Sequence, residues 1–166
     1  MTEQSGIIIR SFELKFLDQV TEINRICLPE NYPEHFFRTI HSELPSGFLI
    51  CEVDSQVVGY TMARLESGMS HFSLFHRARK GHTVSLAVLP PYRRQGLGTK
   101  LLKESMTAMI AAGANELFLE VRVSNQPAIS LYHRAGYQIV KEIRHYYRDY
   151  EAAYLMALKV PKTHQN

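Results

Sequence analysis

Only two cysteines, Cys27 and Cys51, occur among the 166 residues of the chain. They fit no metal-binding or redox spacing, which excludes a disulfide framework or a cysteine zinc site and leaves packed thiols in a reducing compartment. No apolar run approaches the roughly 18 residues of a membrane span. The opening stretch has no basic region followed by an apolar one, so no secretory signal is expected. Repeats, low-complexity tracts and Pro/Gly/Ser-rich linkers are missing as well, which argues against an array or a multidomain chain. Charge of one sign is scarce: 19 basic and 16 acidic residues leave a net +3, too little to point to nucleic acid. What is present is ordinary, 45% apolar and 21% charged. That composition predicts one globular domain over 1–160 with a short tail at 161–166, cytoplasmic and away from membranes.

Ile7–Arg10 reads as a β-branched strand. Phe16, Leu17, Val20, Ile23 and Cys27 recur at helical spacing and predict an amphipathic helix over Lys15–Cys27. Pro33 then opens a second helix to about Leu44. Gly47–Val53 and Val57–Leu65 form a hairpin around Asp54-Ser55-Gln56, and the aperiodic stretch Glu66–Lys80 reads as a long functional loop. Its basic run His76-Arg77-Ala78-Arg79-Lys80 reads as a solvated loop or a contact for an acidic partner. From His82 to Val88 the chain alternates, which places His82, Val84, Leu86 and Val88 on one strand face. After Pro90-Pro91 a helix carries Leu101, Leu102, Ser105, Ala108, Met109 and Ala112 on one side and stops at Gly113. A strand over Leu117–Val123, a short helix over Pro127–Gly136 and strands over Tyr137–Tyr147 and Ala152–Lys159 complete the chain. The order β-α-α-β-β-β-α-β-α-β-β predicts an α/β fold with a mixed sheet flanked by helices.

The segment Arg93-Arg94-Gln95-Gly96-Leu97-Gly98-Thr99 lies between a strand and a helix. Its glycines let backbone approach a ligand, the helix start offers free N–H groups, and two arginines add positive charge, a combination suited to a diphosphate. It is not a P-loop, because the glycines are too close together. It is not a dinucleotide fingerprint either, because Leu101 stands where the third glycine belongs. From this segment alone, an ordinary strand–helix turn with basic surface residues remains open.

Arg93-x-x-Gly96-x-Gly98, following Leu86-Ala87-Val88, resembles the pyrophosphate-binding motif of the GNAT acyltransferase superfamily. Four further segments extend the resemblance: Leu28-Pro29-Glu30-Asn31-Tyr32, Gly81-His82-x-x-Ser85-x-Ala87-Val88, Glu120-Val121-Arg122-x-Ser124-Asn125 and Leu131-Tyr132. They are similar to the catalytic subunits of the main protein N-terminal acetyltransferases, archaeal type, and share fewer features with the ribosomal-protein N-terminal alanine acetyltransferases. The resemblance implies transfer of acetyl from acetyl-CoA to a protein's α-amine, without a metal and by direct attack in a ternary complex. It implies backbone contacts from Leu86, Ala87 and Val88 to the acetyl and pantetheine. Arg93, Arg94, Gln95, Gly96, Leu97, Gly98 and Thr99 would hold the pyrophosphate, and Asn125 and Tyr132 would line the cofactor's other side.

The same resemblance makes Glu30, His82 and Glu120 candidate bases and Tyr132 a proton donor to the departing thiolate. Glu30, Tyr32, Tyr146 and Tyr147 would bind the substrate chain end, with protein N-termini as substrate and the ribosome or an auxiliary subunit as candidate partners. Each residue has a plainer alternative: Glu30 as a loop acid, His82 as a hydrogen-bonded core histidine, Glu120 in an ion pair with an arginine, the tyrosines as packing. Two other functions compete, acetylation of lysine or a small amine and a non-catalytic acetyl-CoA-binding module. The chain departs from the family pattern near its end, where Tyr150 replaces a turn glycine and Ala152 an aspartate, so a different hairpin turn is expected there.

Overall fold

Segments of alternating apolar residues become strands and segments of helical spacing become helices, in the predicted order. The computed structural model of the chain describes residues 6–162. Its elements are β1 Ile7–Ser11, α1 Leu17–Cys27, α2 Glu34–Glu43, β2 Leu49–Val53, β3 Gln56–Met69, β4 Arg77–Val88, α3 Leu97–Ala111, β5 Glu116–Arg122, α4 Gln126–Arg134, β6 Gln138–Ile143 and β7 Ala153–Lys159. The strands form a mixed sheet of order β1-β2-β3-β4-β5-β7-β6. Residues 163–166 of the expected tail lie outside the described residues. The described residues divide into two compact units: those up to Arg64 with Thr83–Ala108, and Leu65–His82 with those from Met109 onward.

In the first unit β1 pairs antiparallel with β2, and β2 with β3. One sheet face carries Phe48, Ile50, Val57, Tyr60 and Met62 against Leu17, Val20 and Ile23 of α1 and Phe37 and Ile40 of α2. The other carries Leu49, Cys51, Val53 and Val58 against Leu97 and Leu101 of α3. A register shift at Cys51/Glu52 marks a bulge. It explains how Val57 and Tyr60, an odd number of residues apart, share a face. β4 also departs from its expected pleat. Val84 and Ala87 belong with the first cluster while Leu86 and Val88 pack against the second, so the expected single face does not exist. A uniform pleat cannot place Val84 and Ala87 together.

In the second unit β5 lies parallel to β4 from Lys80↔Glu116 to His82↔Phe118, where the register ends although β4 runs on to Val88. β7 pairs antiparallel along all of β5, and β6 pairs with β7. A Cβ on Gly81 would sit 2.6 Å from Met109 Sδ and 2.7 Å from a Leu117 methyl. Only glycine therefore lets the end of α3 close down on the strand.

Two segment boundaries differ from expectation. Glu66–Lys80 is no long loop: β3 continues to Met69 and β4 starts at Arg77. Ser70 N donates to His76 O at 2.9 Å, the Ser70 hydroxyl donates to the Glu116 carboxylate, and His71 N donates to it at 3.0 Å. The period is absent because this part of the hairpin leaves large side chains outward: Met69, Leu74 and Phe75 are all exposed. Backbone pairing, which leaves no sequence pattern, holds it. The strand expected over Tyr137–Tyr147 stops at Ile143.

Tyr150 sits at φ +67 and is 75% exposed. A bulky residue in the left-handed region costs roughly 1–2 kcal/mol, and glycine's extra freedom in the unfolded chain returns about 0.4–1 of that. Tyr150→Gly is therefore expected to stabilise the protein by about 0.5–1 kcal/mol, read as a higher urea midpoint. A lower midpoint would mean that the edge contact of Tyr150 with His145, centroids 5.9 Å apart, outweighs the backbone strain.

Candidate active site

In the first unit the chain leaves β4 through the turn Pro90–Tyr92 and reaches α3 by way of Arg94 at φ +62 and Gly96 at φ +79. Gly96 is needed for that backbone, since a Cβ there would meet open space but lie in a conformation L residues avoid. The first intrahelical bond is Lys100 N to Gly96 O at 3.1 Å. The N–H groups of Leu97, Gly98 and Thr99 thus precede the ladder, and the first turn holds no acidic residue. Leu97, 1% exposed, plugs this helix end into the core. Leu97, Gly98 and Thr99 are helix rather than loop, which puts their N–H groups in line with the dipole. Arg93 Nε donates to Val88 O at 2.7 Å and Cys27 Sγ to the same oxygen at 3.6 Å. Arg93 thereby ties the turn to the end of β4.

The same unit holds the Glu30–Tyr32 segment in place through a side chain no motif selected. Asn24, 2% exposed on α1, donates to Glu30 O at 3.2 Å and to Tyr60 Oη at 3.1 Å, and accepts from Tyr32 N at 3.3 Å. Tyr60 in turn shares a 2.7 Å bond with Ser85 Oγ of β4. Burial raises the Tyr60 phenol well above its ordinary value, so it stays protonated as a member of this network. The Tyr32 ring stacks on Phe36 with centroids 4.6 Å apart.

In the second unit one face of the sheet gathers polar groups on an aromatic floor. The His82 ring lies flat on Phe118, centroids 4.3 Å apart at 8°. Its Nε2 is 2.7 Å from Glu120 Oε2 and its Nδ1 3.2 Å from Glu66 Oε1. The structure so brings His82 and Glu120 together, and the ion pair considered for Glu120 has histidine where arginine was expected. Arg122, two residues on, bonds Asp149 and Glu151 at 2.9 Å each and lies over the Tyr147 ring at 4.0 Å. Glu151 also accepts from Ser124 N at 3.1 Å. Those bonds to Ser124 and Arg122 hold its carboxyl below the ordinary value. Tyr146 meets Tyr147 edge-on at 4.9 Å.

Asn125 caps α4, its Oδ1 accepting from Ala128 N at 3.3 Å. Tyr132 is buried on α4, and burial pushes its phenol up to about 12. It therefore remains a proton donor throughout the neutral range. Sequence reasoning missed Asn24 and Glu66. Glu66 lay in the stretch read as loop, and Asn24 looked like one polar position in a helix. Among the described residues no group of three or more His, Cys, Asp or Glu side chains is arranged to hold a metal ion.

A model of the acetyltransferase (GNAT) family matches residues 17–137. An N-alpha-acetyltransferase of Sulfurisphaera tokodaii is 52% identical over 151 residues, 90% of this chain and 90% of the relative. Among solved structures, Ard1 from Thermoplasma volcanium superposes with a TM-score of 0.81 at 27% identity, covering 94% of this chain and 99% of that one. A NatB acetyltransferase complex bound to CoA and MES gives 0.78 at 26% identity, covering 93% and 99%.

Proposed function

The chain belongs to the GNAT acetyltransferase family, and from that premise we propose that it transfers acetyl from acetyl-CoA to the α-amine of protein N-termini. The acceptor is supported by the relationship to N-alpha-acetyltransferases. The observation that carries the chemistry is the 2.7 Å contact between His82 Nε2 and Glu120 Oε2 on an apolar floor, a pair able to take and release a proton. The residues at the start of α3 fit a diphosphate: three N–H groups, a favourable dipole, no competing acid in the first turn, and Arg94 and Gln95 beside them. Acetyl-CoA, when bound, supplies an activated acyl thioester.

The protein's part is then to bind, orient and move a proton. The N–H groups of Leu97, Gly98 and Thr99 hold the pyrophosphate, with Arg93, Arg94, Gln95 and Gly96 shaping the approach. The backbone of Leu86, Ala87 and Val88 is assigned to the acyl end, and Asn125 and Tyr132 of the second unit are assigned to the cofactor. Glu30 is assigned to the substrate ammonium group, and Tyr32 of the first unit and Tyr146 and Tyr147 of the second are each assigned to the substrate chain. His82 and Glu120 remove the proton, directly or through water. Tyr132, a neutral phenol, donates to the departing thiolate. The cytoplasm, where protein N-termini are made, and a contact with an auxiliary subunit or the ribosome belong to the same proposal.

The choice of acceptor has a chemical basis. At pH 7 an α-amine is roughly 14% neutral and a lysine amine about 0.04%, a ratio of about 350. Peptides beginning with Ser or Ala are expected to exceed N-terminally blocked peptides carrying a free lysine by at least about a hundredfold in kcat/KM. Equal rates would move the chain to the lysine-acetylating class, and no turnover on either would leave a binding module.

A further inference from the structure

Glu66 belongs to the His82 cluster of the second unit, yet no sequence motif selects it. Its Oε1 faces His82 Nδ1 at 3.2 Å while Glu120 Oε2 faces Nε2 at 2.7 Å. The histidine side chain is 12% exposed and Glu66 34%. Phe118, stacked beneath the ring, fixes its plane, so the ring's edge is what remains to be oriented. Ionised carboxylates only accept hydrogen bonds, and a neutral imidazole has a single N–H. One proton on Nδ1 satisfies Glu66 and leaves Nε2 and the Glu120 carboxylate facing each other as two acceptors, a pair that takes up and gives back a second proton. Further charged or titratable groups nearby include Lys80, whose Nζ lies 5.2 Å from the Phe118 centroid, His71, whose Nε2 is 3.4 Å from that Nζ, and Glu116 and Lys141, which both act on His71. The two ring nitrogens of His82 face the two carboxylates directly, so Glu66 and Glu120 are the groups that set where its protons lie.

We propose that Glu66 is a positioning residue for the acetyl transfer: by accepting the His82 Nδ1–H it fixes the tautomer and aims Nε2 at Glu120. The third group of a nucleophile–base–orienter set does the same for its imidazole. The inference rests on the functional reading above. In the step it serves, the ammonium form of the substrate N-terminus gives one proton to the His82 Nε2–Glu120 Oε2 pair. The nitrogen keeps its electron pair for the acyl carbon, and the pair later releases the proton to water. Glu66 touches neither reactant. Its contribution is that Nδ1 stays protonated while Nε2 exchanges its proton.

The test compares wild type, Glu66→Gln and Glu66→Ala on a Ser-initiated peptide with acetyl-CoA, alongside ¹⁵N NMR of the histidine rings. Glu66→Ala should lower kcat at least about tenfold with the KM for acetyl-CoA within about twofold, since orientation of the base serves the chemical step. Glu66→Gln, whose amide oxygen still accepts from Nδ1–H, should recover most of that loss. The wild-type His82 spectrum should show Nδ1 protonated at neutral pH, and Glu66→Ala should show a mixture of tautomers. A wild-type ring bare at Nδ1 overturns the proposal whether or not the variants fold, and so does an alanine variant within twofold of wild-type kcat. Absence of wild-type turnover would instead sink the functional reading, and the ring spectrum would still decide the role of Glu66.

Discussion

Gly98→Asp is expected to weaken acetyl-CoA binding at least about a hundredfold without lowering the thermal midpoint. Gly98 is the second residue of α3, inside the turn whose N–H groups precede the helical ladder. Aspartate there suits the helix: it replaces the weak helix former glycine and places negative charge at the positive end of the dipole, each worth up to about 1 kcal/mol. A diphosphate meets the opposite circumstances. Its charges would lie within about 4–5 Å of the new carboxylate, where repulsion amounts to roughly 3–4 kcal/mol at a surface dielectric. The two effects have opposite signs, so a loss of affinity cannot be put down to a damaged fold. Calorimetric titration with acetyl-CoA beside a thermal melt measures both. Unchanged affinity in a folded variant would remove the start of α3 from the cofactor site.

Glu120→Gln is the second large effect, and it falls on turnover rather than binding. The amide matches the carboxylate in shape and can still meet His82 Nε2, 2.7 Å away in the native pair. It cannot take a proton, and it removes a negative charge from beside the ring. A lost general base costs about 10²–10⁴-fold in rate, so kcat should fall by at least about a hundredfold while the KM for acetyl-CoA moves by less than about threefold. Glu30→Gln should differ in kind, raising the peptide KM more than it lowers kcat, because Glu30 is assigned to hold the ammonium group. Steady-state kinetics varying each substrate separates the two. Should Glu120→Gln stay within about threefold of wild-type kcat, base catalysis by the pair gives way to catalysis by positioning alone.

The element order, the helix stops and the turn before α3 were legible because each is a local signal. Pro33 caps α2, and Gly113 and Gly136 end α3 and α4 at positive φ. Such residues act on backbone torsions within a few positions of themselves, so their meaning can be read in place. Reading failed where geometry came from pairing between strands. The hairpin over 66–80 is held by backbone bonds that impose no pattern on outward side chains. In β4 the packing faces of Val84 and Leu86 break the simple alternation that a run of seven residues suggests.

The matched motifs, together with residue type, also selected Glu30, His82, Glu120 and Tyr132 as groups able to hold or move a proton. Only the tertiary structure decided their partners. Glu120 meets His82 across 38 residues of sequence, and Glu66 meets it across 16. Asn24 looked like one polar helix position until the fold placed Tyr60 of β3 against it, 36 residues away. A side chain's chemistry is carried by its own atoms, but its hydrogen-bond partner is chosen by whichever strands the core forces to lie side by side.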